Sequence, residues 1–234
     1  MVESGESPNE DSAPVVTIDG PGGSGKGTIS RLLAKRLGWH LLDSGAIYRL
    51  AAMASMERGI DHTEHAHDLP KLLDVCQNLN VDFRQHADGS EQIMLDGADV
   101  TLLLRDEATG EAASKIAVVP EVREALLSRQ RAFQRQPGLV ADGRDMGTVV
   151  FPNAKNKIFL TASLSERAKR RHKQLKGQGI SISIDALFKD MAARDDRDAN
   201  RKVAPLKPAV DAKVVDCSSL SIDQVLAEVL KIMQ

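Results

Sequence analysis

The chain has 234 residues, 42% apolar and 27% charged, enough to bury a sizeable core in one domain carrying insertions. A net charge of −2 argues against non-specific polynucleotide binding, and 3% aromatic residues leave little surface for base stacking. No run approaches the length of a membrane span, and the two cysteines, Cys76 and Cys217, have no metal-like spacing. The expectation is a cytoplasmic protein with two free, buried thiols and neither nucleic acid nor membrane as partner.

Residues 1–13 carry Glu3, Glu6, Glu10 and Asp11 with no basic residue and no apolar run, which predicts a disordered, solvated tail. Val15-Val16-Thr17-Ile18-Asp19 then reads as a buried strand. Gly20, Pro21, Gly22, Gly23, Ser24, Gly25, Lys26, Gly27 and Thr28 follow it. Apolar residues at Ile29, Leu32, Leu33 and Leu37 give a helical spacing over 28–37. Strand, glycine loop, lysine and helix in this order form a phosphate-binding loop. Glycines let successive N–H groups curl around an anion, the helix start adds positive potential, and Lys26 supplies a point charge for the β- and γ-phosphates of ATP. A nearby hydroxyl, Thr28, can hold Mg²⁺, with Asp142 as a second candidate oxygen ligand. Gly27 stands where the general pattern has Ser or Thr, and this GxGKGT variant resembles the nucleoside monophosphate kinases more than the GTPases.

Residues 39–42 read as a second strand, and 46–57 as a helix bearing Tyr48 and Arg49 in its first turns. The string from Leu41 to Arg49 resembles the segment after the first helix of bacterial cytidylate kinases. On the residues alone, Arg49 is either a phosphate fork or a surface arginine of an amphipathic helix. His62, His65 and His67 lie among acidic residues and read as a solvated connector rather than a metal site. Alternation in 80–84 and 91–95 around Asp88-Gly89 predicts a hairpin, with a second turn at Asp96-Gly97. This interrupts the β-α rhythm and resembles the enlarged monophosphate-binding domain of the same family. Two helices are expected over 106–117 and 120–134.

Residues 139–141 form a third strand, followed by Asp142-Gly143-Arg144-Asp145-Met146-Gly147-Thr148. Carboxylates and arginines bunched at a strand's C-terminal end belong on the ligand crevice of a parallel sheet. The string also resembles the cytidylate kinase signature. A fourth strand is read at 157–161. Between 162 and 202 lie 11 Lys+Arg and 6 Asp+Glu, a surplus of five positive charges. Arg167, Arg170 and Arg171 share one side of a helix over 165–175, and Gly177 and Gly179 break it. Such a basic flap resembles a kinase lid, assigned to about 162–182. The next helix, 184–198, would set Arg194, Asp198 and Arg201 on one face. A last strand at 213–217 and an amphipathic helix at 222–233 complete the pattern.

The expected fold is α/β: a three-layer P-loop NTPase with a five-stranded parallel core sheet. The core would comprise 14–60 and 137–234, and the monophosphate-binding domain 61–136. The resemblance to cytidylate kinases implies transfer of the γ-phosphoryl of Mg-ATP to CMP or dCMP by a monomer. It implies acceptor-phosphate contacts from Arg49, Arg144 and Arg201, with Ser44 alongside, and base reading by Asp145, Arg123 and Ser114. It places Arg194 and Asp198 at the ribose, and Lys26, Arg144, Arg167, Arg170 and Arg201 around the transferring group. The alternatives are a UMP or AMP kinase, or a P-loop protein that binds nucleotide without turnover. A GTPase would need a guanine-reading Asn-Lys-x-Asp, and Asn156-Lys157-Ile158-Phe159 lacks its aspartate.

Overall fold

The computed structural model describes residues 12–60, 68–85, 91–177 and 179–234. The chain divides into two compact units, one of 1–43, 131–200 and 204–234, the other of 44–130 and 201–203. The division falls at 44 and 131 rather than at 61 and 137. The reason is packing: helix α2 (Ser44–Glu57) makes its main contacts with α4 (Glu107–Ile116), inside the inserted segment.

The first unit is built on five parallel strands: β1 (Val15–Asp19), β2 (His40–Asp43), β6 (Leu139–Gly143), β7 (Asn156–Thr161) and β8 (Lys213–Asp216). Their order is β2-β6-β1-β7-β8, so β1 is central and all five of its residues are buried. Both faces of such a strand are covered, which explains its unbroken β-branched run. Helix α1 (Lys26–Leu37) and helix α8 (Ile222–Ile232) pack together on this sheet, joining Ile29, Leu33, Val225 and Val229 to Val16, Ile18, Val140 and Ile158. Ser221 caps α8 reciprocally with Gln224, a capping box that satisfies two otherwise orphaned donors. The sheet carries functional groups on the edge where its strands end. In register, Asp43 lies opposite Asp142, and Asp19 opposite Gly143.

Order reaches into the segment read as a tail. Ala13 is buried, and its carbonyl accepts a hydrogen bond from the Gln134 side chain at 2.7 Å. The acidic residues of the tail, Glu3, Glu6, Glu10 and Asp11, lie outside the described residues, as do His62, His65 and His67 and the Asp88-Gly89 turn. Among the described residues no helix is long and apolar enough to cross a membrane. Cys76 and Cys217 are buried free thiols.

The second unit joins α2, α3 (Leu69–Gln77), α4 and α5 (Pro120–Arg131, its last residue counted with the first unit) to a small antiparallel sheet. That sheet is β3 (Val81–Gln85), β4 (Glu91–Leu95) and β5 (Ala98–Asp99), paired in sequence order. Two helices of the first unit remain, α6 (Leu164–Gly177) and α7 (Ile184–Asn200), packed on each other. Since α7 ends at Asn200, Arg201 lies beyond the helix and does not continue the face of Arg194 and Asp198, and it is grouped with the second unit.

Candidate active site

The phosphate-binding loop is shaped by close approach. A Cβ on Gly20 would lie 2.0 Å from the carbonyl oxygen of Leu160, a fixed backbone atom of the neighbouring strand, and its φ of +151° also favours glycine. Gly25, at φ +95°, turns the chain into α1, and its carbonyl takes the N–H groups of Thr28 and Ile29 at 3.1 Å. Helix α1 therefore starts at Lys26 with its N-terminal dipole end at the loop.

Lys26 is nearly buried and lies 3.8 Å from Asp142 at the end of β6. Burial, and after it the Arg144 guanidinium, pull the Lys26 ammonium below the ordinary lysine range, against the attraction of Asp142 and Asp43. Burial pushes the Asp142 carboxyl up, opposed first by Lys26. Lys26 is brought down to about 8 and Asp142 up to about 6, so both stay mostly charged at neutral pH, and a polyanion carrying a divalent cation would favour the charged form of each. Asp142 adjoins Gly27, where a Cβ would come 3.2 Å from its Oδ2. Its Oδ1 is buried without a hydrogen-bond donor. A carboxylate oxygen that faces Lys26 without a hydrogen bond, beside the first turn of α1 where Thr28 brings a hydroxyl, is an oxygen donor set that suits Mg²⁺. Among the described residues no three His, Cys, Asp or Glu side chains gather into a metal cage.

Arg144 reaches the other side of the loop, with its Nη2 3.5 Å from where a Gly22 Cβ would stand. Its Nε donates to Asp198 Oδ2 at 2.8 Å. Burial disfavours the guanidinium charge, but Asp198 more than offsets it and raises the Arg144 pKa. Asp198 is thus engaged by Arg144, where a ribose contact was expected of it. Asp145, only 3% exposed, follows directly, and Arg194 is half-buried on α7 and adds to the positive field at Lys26.

The arginines expected to belong to a lid are engaged by the main chain and by acidic side chains. Arg167 donates to the carbonyls of Gly22 at 2.9 Å and Ala162 at 3.0 Å and forms a two-pronged pair with Asp195. Arg170 donates to Cys217 and, more weakly, to Ser24 and Ser218, all through main-chain carbonyls, and approaches Glu166. Both brace the phosphate loop by its main chain. The pairing of Arg167 with Asp195 on α7 had no signal in the sequence, because any of several acidic residues there could have served.

The residues that the family pattern assigns to the acceptor fall in both units. The second unit carries Ser44, Arg49, Ser114, Arg123 and Arg201, the first Arg144, Asp145, Arg194 and Asp198. Within the second unit, Ser44 and Ser114 are buried on α2 and α4, and Arg49 is half-buried one turn along α2. Arg123 on α5 lays its guanidinium 5.7 Å from the centre of the Tyr48 ring and donates to the Ala117 carbonyl at 3.3 Å. Tyr48 therefore acts as a rest for Arg123, fixing a long side chain before any ligand arrives.

A family model described as cytidylate kinase matches residues 16–234. The chain is 57% identical over 219 residues to the cytidylate kinase of Pseudomonas fluorescens (strain Pf0-1), covering 93% of this chain and 94% of that one. It is 56% identical over 218 residues to the enzyme of that name from Aeromonas hydrophila, covering 93% of each. The Vibrio vulnificus (strain CMCP6) cytidylate kinase is 55% identical over 222 residues, 94% of this chain and 96% of that one.

Proposed function

The chain belongs to the cytidylate kinase family and phosphorylates CMP and dCMP at the expense of ATP, and we propose that Lys26, Asp142 and the surrounding arginines carry the phosphoryl step. The observation behind this assignment is the buried Lys26–Asp142 pair beside the glycine loop, with Arg144 against the same loop.

Phosphoryl transfer asks little covalent help of a protein; it asks that donor and acceptor be held in line while spreading charge is neutralised. The main chain of residues 20–28 and the Lys26 ammonium hold the β- and γ-phosphates. Thr28 and Asp142 would hold Mg²⁺, which when bound offsets phosphate charge. Arg49, Arg144 and Arg201 clamp the acceptor phosphate, whose oxygen is already an anionic nucleophile at neutral pH, so no general base is required. Arg167 and Arg170 reach the transferring group by exchanging main-chain carbonyls for phosphate oxygens, so closing the lid also loosens the loop's braces. Cytosine presents an amine donor beside the N3 and O2 acceptors. Asp145 takes the amine, and Arg123 and Ser114 serve the acceptors. Arg194, with Asp198 swung from Arg144, serves the ribose. The enzyme works as a cytoplasmic monomer.

A coupled assay of ADP release from Mg-ATP, run with CMP, dCMP, UMP and AMP in turn, tests this. Rapid turnover with CMP and dCMP, and at least about a hundredfold lower kcat/KM with UMP and AMP, is expected because a buried site built for one hydrogen-bond pattern leaves polar groups unpaired with another. Preference for UMP or AMP would refute the base-reading set and leave a kinase. Absence of turnover with all four would refute the function.

A further inference from the structure

The buried Asp19 carboxylate takes no part in the steps above. It ends β1, is 5% exposed, and accepts two hydrogen bonds of 2.8 Å, Oδ1 from the Met146 N–H and Oδ2 from the Gly147 N–H. These are the first residues of the helical turn Met146–Val150, which begins immediately after Asp145. The first N–H groups of any helical turn lack partners within it, and the residue at its start commonly supplies a side-chain oxygen. Asp145 stands at that position without capping the turn. The cap comes instead from Asp19 on a different strand, 127 residues earlier than Met146.

Thr17, on the same face of β1 as Asp19, also closes on this turn. A Cβ on Gly147 would lie 2.8 Å from Thr17 Oγ1 and 3.2 Å from the Lys157 side chain. The segment carrying Asp145 therefore rests on two residues, Thr17 and Asp19, of the strand that leads into the phosphate loop. We propose that Asp19 is a positioning residue for acceptor recognition: by holding the N–H groups of Met146 and Gly147 it fixes the main chain that aims Asp145 at the cytosine amine. This rests on the assignment of Asp145 to that amine. The cost of the arrangement is visible in the carboxyl itself, since burial pushes Asp19 up to about 7 despite its two N–H donors, with Asp145 and Asp142 adding repulsion.

Asp19→Asn keeps the shape but turns an NH₂ group toward one of the two N–H donors, so one hydrogen bond becomes a donor–donor contact. The variant's KM for CMP rises about tenfold and its preference for CMP over UMP falls by a similar factor, while KM for ATP stays within about twofold, as expected for one lost hydrogen bond acting on one substrate. Placed in an Asp145→Asn background, Asp19→Asn adds less than about twofold to KM for CMP, because residues acting through one another are not additive. Equal losses for ATP and CMP, or full additivity with Asp145→Asn, overturn the positioning role. If Asp145→Asn shifts the CMP over UMP preference and Asp19→Asn does not, the positioning role alone fails. If Asp145→Asn leaves that preference unchanged, the assignment of Asp145 fails and the proposal with it. Should Asp19→Asn not fold, Gly147→Ala displaces the same turn through its close approach to Thr17 and Lys157. A rise in KM confined to CMP supports the proposal, and an unchanged or evenly shared KM overturns it.

Discussion

Lys26→Met lowers kcat with Mg-ATP and CMP by about a thousandfold, the upper end of what removal of one preorganised charge from a developing anion costs. Methionine keeps the length and apolar body of the lysine stem, so the change removes charge and little volume. The loss falls on kcat as well as on KM for ATP, since charge on the transferring group and its leaving oxygen is redistributed in the transition state. A second consequence follows from Asp142. With Lys26 gone, the largest influence opposing burial of that carboxyl disappears, and its pKa rises further. Asp142 then accepts a proton rather than standing as an unpaired buried charge, so the variant folds, but it holds Mg²⁺ less well. Steady-state kinetics at several Mg²⁺ concentrations check both effects: the thousandfold deficit persists at saturation, and half-saturation by Mg²⁺ moves upward. A variant within tenfold of the parent kcat would remove Lys26 from the reaction.

Asp145→Asn collapses the choice between cytosine and uracil by about a hundredfold, a factor within reach when one base gains and the other loses a buried, charge-assisted hydrogen bond. The aspartate can only accept, which suits the cytosine amine and opposes the uracil carbonyl at the same position. Asparagine can turn its NH₂ group toward that carbonyl. The expected result is a fall in kcat/KM for CMP with a rise for UMP, read as a ratio, because a ratio is insensitive to any general loss of active protein. Asp145 is 3% exposed, so neither base contact is diluted by water. An unchanged ratio would assign the cytosine amine to another group.

The sheet and the phosphate loop were legible in the sequence because their signals are local. The run Val15-Val16-Thr17-Ile18 and the glycines after it sit together, and the core strands appear within a residue or two of where the apolar runs place them. The unit boundary was not legible. Helix α2 follows β2 without a break, and only its packing on α4, some sixty residues on, removes it from the core. Asp19 read as the end of a strand because the two N–H groups it holds lie far along the chain. Arg201 read as a continuation of a helical face, but α7 stops one residue short of it. Arg167 and Arg170 were legible as a basic helix, while their hold on the loop's carbonyls depends on how α6 rests against it. Periodicity and composition report which residues are buried. They do not report which distant backbone group a buried charge has found.

Phosphorus NMR of the wild-type protein with Mg-ATP and CMP tests the central claim most directly, since it follows the transferred phosphorus itself. The account predicts that the ATP γ resonance is lost in step with the appearance of the CDP β resonance. Inorganic phosphate stays flat, because the acceptor oxygen and not water receives the group. Accumulation of inorganic phosphate, or a CMP resonance that never changes while ATP is bound, would contradict it.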